Sequence, residues 1–132
     1  MWNNDWLQYD YIGAPFPISE NAYWANNGER VRVGNGGFSL RSRKLLEMPL
    51  KNNWKLRQEQ GFFNEDGNVC CYWRKEFLEE GIKYAPLELA VKFSFETPVQ
   101  ENDFGKTRTF GFHRNLPEWA RPKNIFNSVT VF

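Results

Sequence analysis

Three glycines in four residues, Gly34, Gly36 and Gly37, run straight into an alternating pattern in which Phe38 and Leu40 are apolar and Ser39 and Arg41 polar. Glycine is used where φ must be positive or where another group must come close to the backbone. A loop this rich in glycine also leaves N–H groups open, and such loops form anion- or hydroxyl-binding concavities. The segment Val33–Ser42 is not a P-loop, because no Gly-Lys-Ser/Thr follows. Nor is it a dinucleotide fingerprint, because a strand rather than a helix pattern comes next. The structural alternative is a tight turn feeding a buried strand.

The length of 132 residues corresponds to one domain, 1–132, with enough chain to build a core. Twelve phenylalanines and six tryptophans can fill that core, or they can face sugar rings and bases. A net charge of +1 gives no basic face of the kind a nucleic acid needs. No apolar run approaches the ~20 residues of a membrane span, and the N-terminus lacks signal-peptide character. Cys70 and Cys71 are adjacent, and neighbouring Cα atoms lie about 3.8 Å apart, closer than the ~4.4 Å a disulfide requires. The pair also lacks the spacing of a metal site. Two free thiols on a helix suit a reducing compartment, so the expected localisation is cytoplasmic.

Along the chain, Trp2 and Trp6 within Met1–Gln8 suit one helical turn, and Tyr9–Gly13 a short strand stopped by Pro15 and Pro17. Arg30–Val33 alternates as a strand, and Arg41–Glu47 suits a short helix ended by Pro49. The strongest helix signal is Glu65–Glu80, where Val69, Trp73 and Phe77 share a face flanked by Cys70 and Leu78. Asn64 is its expected N-cap, Glu65 and Asp66 sit in its first turn, and Gly81 is its expected stop. Ile82–Ala85 reads as a strand, Pro86–Ala90 as a helical turn, Val91–Glu96 as an alternating strand and Phe110–His113 as another. Arg114 onward suggests a surface tail, 114–132, with Val129–Phe132 able to add an edge strand. The expected class is mixed α and β with short strands and one main helix.

Four ordered pieces carry a family resemblance: Tyr9-Asp10-Tyr11-Ile12-Gly13-Ala14-Pro15, Gly34-Asn35-Gly36-Gly37-Phe38-Ser39-Leu40-Arg41, Asn64-Glu65-Asp66 and Phe110-Gly111-Phe112-His113. Phe93-Ser94-Phe95-Glu96 lies between the last two. From Tyr9 to His113 the chain resembles the C-terminal, acceptor-side half of glycosyltransferase-like proteins with the GT-A, nucleotide-diphospho-sugar transferase fold. The resemblance implies transfer of a sugar from a nucleotide-sugar donor to a hydroxyl acceptor. In that fold the Asp-x-Asp metal motif precedes the Tyr-Asp-Tyr-Ile-Gly-Ala-Pro strand, whereas Asn3-Asn4-Asp5-Trp6 here is no such motif. These 132 residues are therefore expected to be a fragment that lacks the nucleotide half, is inactive alone and self-associates. A non-catalytic module binding a carbohydrate or a protein is the alternative.

Several residues follow from this reading. Sugar transfer with inversion needs a carboxylate to take the proton of the acceptor hydroxyl, and the resemblance implies Asp66 as that base with Glu65 as hydroxyl ligand, or the reverse. Both acids are equally at home stabilising a helix dipole. The resemblance implies His113, the single histidine, as a ligand of Mn²⁺ or Mg²⁺ in a complete enzyme, with no tight metal binding by this chain alone. Asn35, Gly36 and Gly37 would line the site floor. Trp24 and Trp54 could stack on a sugar or pack in the core. Arg41 reads as an ordinary exposed strand residue and Asp10 as a buried hydrogen-bonding one.

Overall fold

The structure, a computed structural model, describes residues 1–22, 24, 31–58 and 64–122. Its centre is strand β1 (Tyr11–Pro15), which is buried along its whole length. Successive side chains of a strand point to opposite faces. Tyr11 accordingly packs with Leu45, Val69, Cys70, Trp73 and Phe77, while Ile12 packs with Trp6, Val33, Ala90 and Phe93. One short strand thus serves two cores, and the expected mixed α/β class is what the described residues form.

Strand β2 (Val33–Arg41) pairs antiparallel with β1. On the other edge of β1, Lys83 O accepts from the N–H groups of Asp10 and Tyr11 at 2.7 and 3.2 Å, and Ala85 N–H donates to Tyr11 O at 2.9 Å. The strand expected over Ile82–Ala85 is reduced to that isolated parallel bridge at Tyr84. A second small sheet pairs β3 (Ser94–Phe95) parallel with β4 (Gly111–Phe112), inside the segment expected as Phe110–His113.

Helix α1 (Arg43–Lys51) starts where Ser42 Oγ accepts from Leu45 N–H at 3.1 Å. It runs through Pro49 instead of ending before it. Proline there removes the N–H that would donate to Leu45 O, and the helix closes shortly afterwards as Asn52 N–H donates to Met48 O at 3.0 Å.

The expected helix over 65–80 is continuous in direction but not in type. It comprises α2 (Glu65–Gly67), a π-helical turn (Asn68–Tyr72) and α3 (Arg74–Glu79). Trp73 N–H reaches back five residues to Asn68 O at 2.8 Å. Val69, Trp73 and Phe77 are buried as expected, whereas Leu78, about 100° further round, is 45% exposed. The Asn64 side chain makes no capping bond. Gly81, at φ +77°, ends the helix as its sequence suggests.

The strand expected over Val91–Glu96 is mostly helix. Helix α4 (Leu87–Phe93) extends past the expected turn, burying Ala90, Val91 and Phe93. Leu87, Ala90 and Val91 recur at helical spacing, and so short an alternating stretch fits either period. Only Ser94 and Phe95 are extended. Of the surface tail expected over 114–132, residues 114–122 are described, and most of them are exposed. Pro117 is fully buried, and Trp119 meets Phe112 edge-on with ring centroids 5.8 Å apart. Val129–Phe132 lies outside the described residues. Among the described residues no helix is long and apolar enough to cross a membrane.

Candidate functional site

A cleft of about 430 Å³ opens where β2, the start of α2 and the ends of both small-sheet strands converge. Phe16, Pro17 and Trp24 form one side and Asn35 and Gly37 the floor. Asn64, Glu65 and Asp66 form an acidic edge, and Glu96, Thr97, His113 and Arg114 the far wall. Of the residues singled out from the sequence, Trp24, Asn35, Gly37, Glu65, Asp66 and His113 all line this space. Gly36 sits behind it, and Trp54 is elsewhere, packed edge-on against Phe77 at 5.0 Å in the core.

The glycine segment is not a loop preceding a strand but a bulge inside one. Ile12 pairs with Leu40 and Ala14 with Asn35, so Gly13 alone faces the four residues Gly36–Ser39. Ser39 Oγ closes the bulge by donating to Gly36 O at 3.0 Å. Positive φ is not the reason for glycine here; close approach is. A Cβ on Gly36 would stand 2.6 Å from Glu65 Oε1 and 2.7 Å from Arg41 Nη2. On Gly37 it would run into the imidazole of His113, 2.6 Å from Cε1 and closer to Nδ1.

Asp66 is buried, and both of its oxygens accept backbone N–H groups: Oδ2 from Gly36 at 3.3 Å and Oδ1 from Gly67 at 2.8 Å. Glu65 is held by Arg41 Nη2 at 2.8 Å. Burial pushes the Glu65 carboxyl up, but the hydrogen bonds and charge of Arg41 outweigh it and leave the group below its usual range. Arg41 is also the strut of the bulge, donating from Nε to Ser39 Oγ at 3.0 Å and from Nη2 to Gly36 O at 3.4 Å. It is not the ordinary exposed strand residue its position suggested. Its pairing with Tyr11 across the sheet, with the guanidinium 5.7 Å above that ring, sets its direction.

Two more residues escaped sequence reasoning. The Asn68 side chain pins the start of the helical run, with Oδ1 accepting Arg57 N–H at 2.8 Å and Nδ2 donating to Arg57 O at 3.1 Å and Asn64 O at 3.3 Å. Glu96 is buried beside His113, with Oε2 3.4 Å from Nδ1. Its only sequence signal was its place closing Phe93-Ser94-Phe95-Glu96. Backbone bonds hold this wall, since His113 N–H donates to Phe95 O at 2.9 Å and Asn115 Nδ2 to Glu96 O at 2.7 Å.

Trp24 lies flat on Phe16, with centroids 4.7 Å apart and planes 4° from parallel, and its Nε1 donates to Pro17 O at 2.9 Å. Asp10 is the hydrogen-bonding residue its place in the strand suggested, accepting from Ser42 Oγ at 2.6 Å and Lys83 N–H at 2.9 Å. Cys70 and Cys71 are buried and form no disulfide; burial pushes both thiols up, Cys71 to about 12.

The divalent ion implied by the resemblance finds a poor donor set. Among the described residues no three of His, Cys, Asp and Glu gather closely enough to hold an ion. The Nδ1 of His113 already faces Glu96.

Residues 3–113 match the family described as "Protein of unknown function (DUF5672)". The chain belongs to this family. No curated protein and no solved structure matches it. The stretch shared with DUF5672 takes in every residue lining the cleft except Arg114.

Proposed function

We propose that the cleft binds the hydroxyl-rich ring of a sugar and that the protein is glycosyltransferase-like, this being the acceptor side of the transfer. The observation carrying this reading is that Trp24, Asn35, Gly37, Glu65, Asp66 and His113, from well-separated stretches of the chain, share one cleft. An aromatic side with a few convergent polar groups is the usual make-up of a small-molecule site. Three carboxylates against one arginine, Arg114, favour a neutral polyol over a phosphate at this position. Asp66 is the better hydroxyl acceptor of the acidic pair, because Glu65 shares its charge with Arg41.

One feature favours a non-catalytic carbohydrate-binding module as the second reading. Both Asp66 oxygens are tied to backbone donors, which fixes the carboxylate in place as a hydrogen-bond acceptor. Titration of the full chain with methyl glycosides of glucose, galactose and N-acetylglucosamine, followed by NMR, tests binding. Shifts at Trp24, Asn35 and Asp66, weakened about tenfold or more by Asp66→Asn, are expected from the loss of a charge-assisted hydrogen bond of about 1.5–3 kcal/mol. Glycosides that leave these residues unmoved would refute the reading. Turnover with a nucleotide-sugar donor then separates transferase from binding module.

A further inference from the structure

The far wall of the cleft contains a pair that simple sugar binding does not require. The Glu96 side chain is only 10% exposed, and its Oε2 has no hydrogen-bond partner. His113 Nδ1 is shut from solvent and equally unpartnered, although 40% of the His113 side chain is exposed. A buried carboxylate oxygen without a donor is costly, and the Nδ1–H of a neutral imidazole is the donor that faces it, 3.4 Å away. Gly37 lies against the Nδ1 side of the ring, where no Cβ would fit. The exposed part of the ring is therefore the edge carrying Nε2.

We propose that Glu96 holds His113 as the Nδ1–H tautomer, so that Nε2 faces the cleft and accepts the proton of a bound sugar hydroxyl. Which nitrogen carries the proton is set by the partner of the other, and an oriented imidazole is an effective general base. In the step the ligand O–H bond breaks, its electron pair stays on oxygen, and the proton forms an N–H bond at Nε2. The imidazolium so formed is balanced by the Glu96 carboxylate. On the proposed function, the oxygen then bonds to the anomeric carbon of a nucleotide-sugar as the nucleoside diphosphate departs with its bonding pair. His113 is the catalytic residue, and Glu96 and Gly37 position it.

The chain has one histidine, so its ring nitrogens can be followed by ¹⁵N NMR without ambiguity. In the neutral ring of the full chain the proton is expected on Nδ1 with Nε2 bare. Glu96→Gln, whose amide oxygen still accepts, should keep that tautomer, and Glu96→Leu should lose it. A methyl glycoside that binds should move the Nε2 resonance most. A wild-type proton on Nε2, or a glycoside that binds without moving Nε2, would overturn the proposal. The tautomer is read without ligand, so failure of every glycoside to bind would count against the sugar reading alone. Where transfer is measurable, His113→Gln should reduce kcat by about 100-fold or more, with the acceptor KM little changed.

Discussion

Replacing Gly37 by alanine tests whether the glycines exist for close approach. The new Cβ would lie 2.6 Å from His113 Cε1 and nearer still to Nδ1, against about 3.5–4.0 Å for comfortable contact. The backbone of His113 cannot retreat easily, because its N–H is bound to Phe95 O at 2.9 Å. The ring must instead swing into solvent, leaving Glu96 Oε2 buried without its neighbour. Overpacking of this kind costs about 1–3 kcal/mol. For 132 residues each kcal/mol corresponds to roughly 3–5 °C in Tm, so a fall of about 3–15 °C is expected by thermal denaturation. Removing the ring beforehand isolates the cause. In a His113→Ala background Gly37→Ala should cost little, giving a coupling of about 1–3 kcal/mol for residues in contact. Equal cost in both backgrounds would place the strain in the backbone, and no cost in either would refute the close-approach account.

Phe77→Ala should destabilise by about 3–5 kcal/mol, whereas Leu78→Ala one residue later should stay within about 0.5 kcal/mol, both read from urea midpoints. A thiol reagent should modify neither Cys70 nor Cys71 in the native protein and both after denaturation, because only thiolates react and burial suppresses them. Prompt native labelling would refute their burial. Glu65 is held below its usual range in the folded protein, so its stabilising share is present above an ordinary carboxylate pKa of about 4.3 and lost as pH falls through the lowered folded value. Arg41→Met should flatten the dependence of the urea midpoint on pH in that acidic window. An unchanged slope would mean the ion pair contributes nothing there.

What was legible in the sequence was local. The strand signal at Tyr9–Gly13, the Gly81 stop and the Val69, Trp73 and Phe77 face depend on neighbours a few residues away; the structure keeps the last two and shifts the strand to Tyr11–Pro15, through the proline expected to stop it. The acidic edge and His113 were legible only as residue types. Glu96 and Arg41 became functional candidates through contacts that close over 17 and 24 residues, His113 to Glu96 and Glu65 to Arg41, which no periodicity encodes. The π-helical turn was illegible for the same reason. Its wide turn is set by burial of Asn68 through Cys71 together, with Asn68 bound to Arg57 across the chain. The helix over Leu87–Phe93 was misread because its six-residue alternation from Val91 to Glu96 overlaps a helical repeat begun at Leu87.

The adjacent glycines make the two walls of the cleft separable. Successive residues of extended chain present opposite faces, and Gly36 and Gly37 do so here: one lies nearest Glu65, Arg41 and Asp66, the other nearest His113. A side chain at either position would push one wall away and leave the other standing. Gly36→Ala should therefore disturb Asp66 and the Arg41–Glu65 pair while the His113 tautomer persists, and Gly37→Ala should do the reverse. Sugar affinity should follow the first substitution and proton acceptance the second. A bulge with glycine at only one of these positions could bring up an acidic edge or an imidazole, but not both to the same cleft.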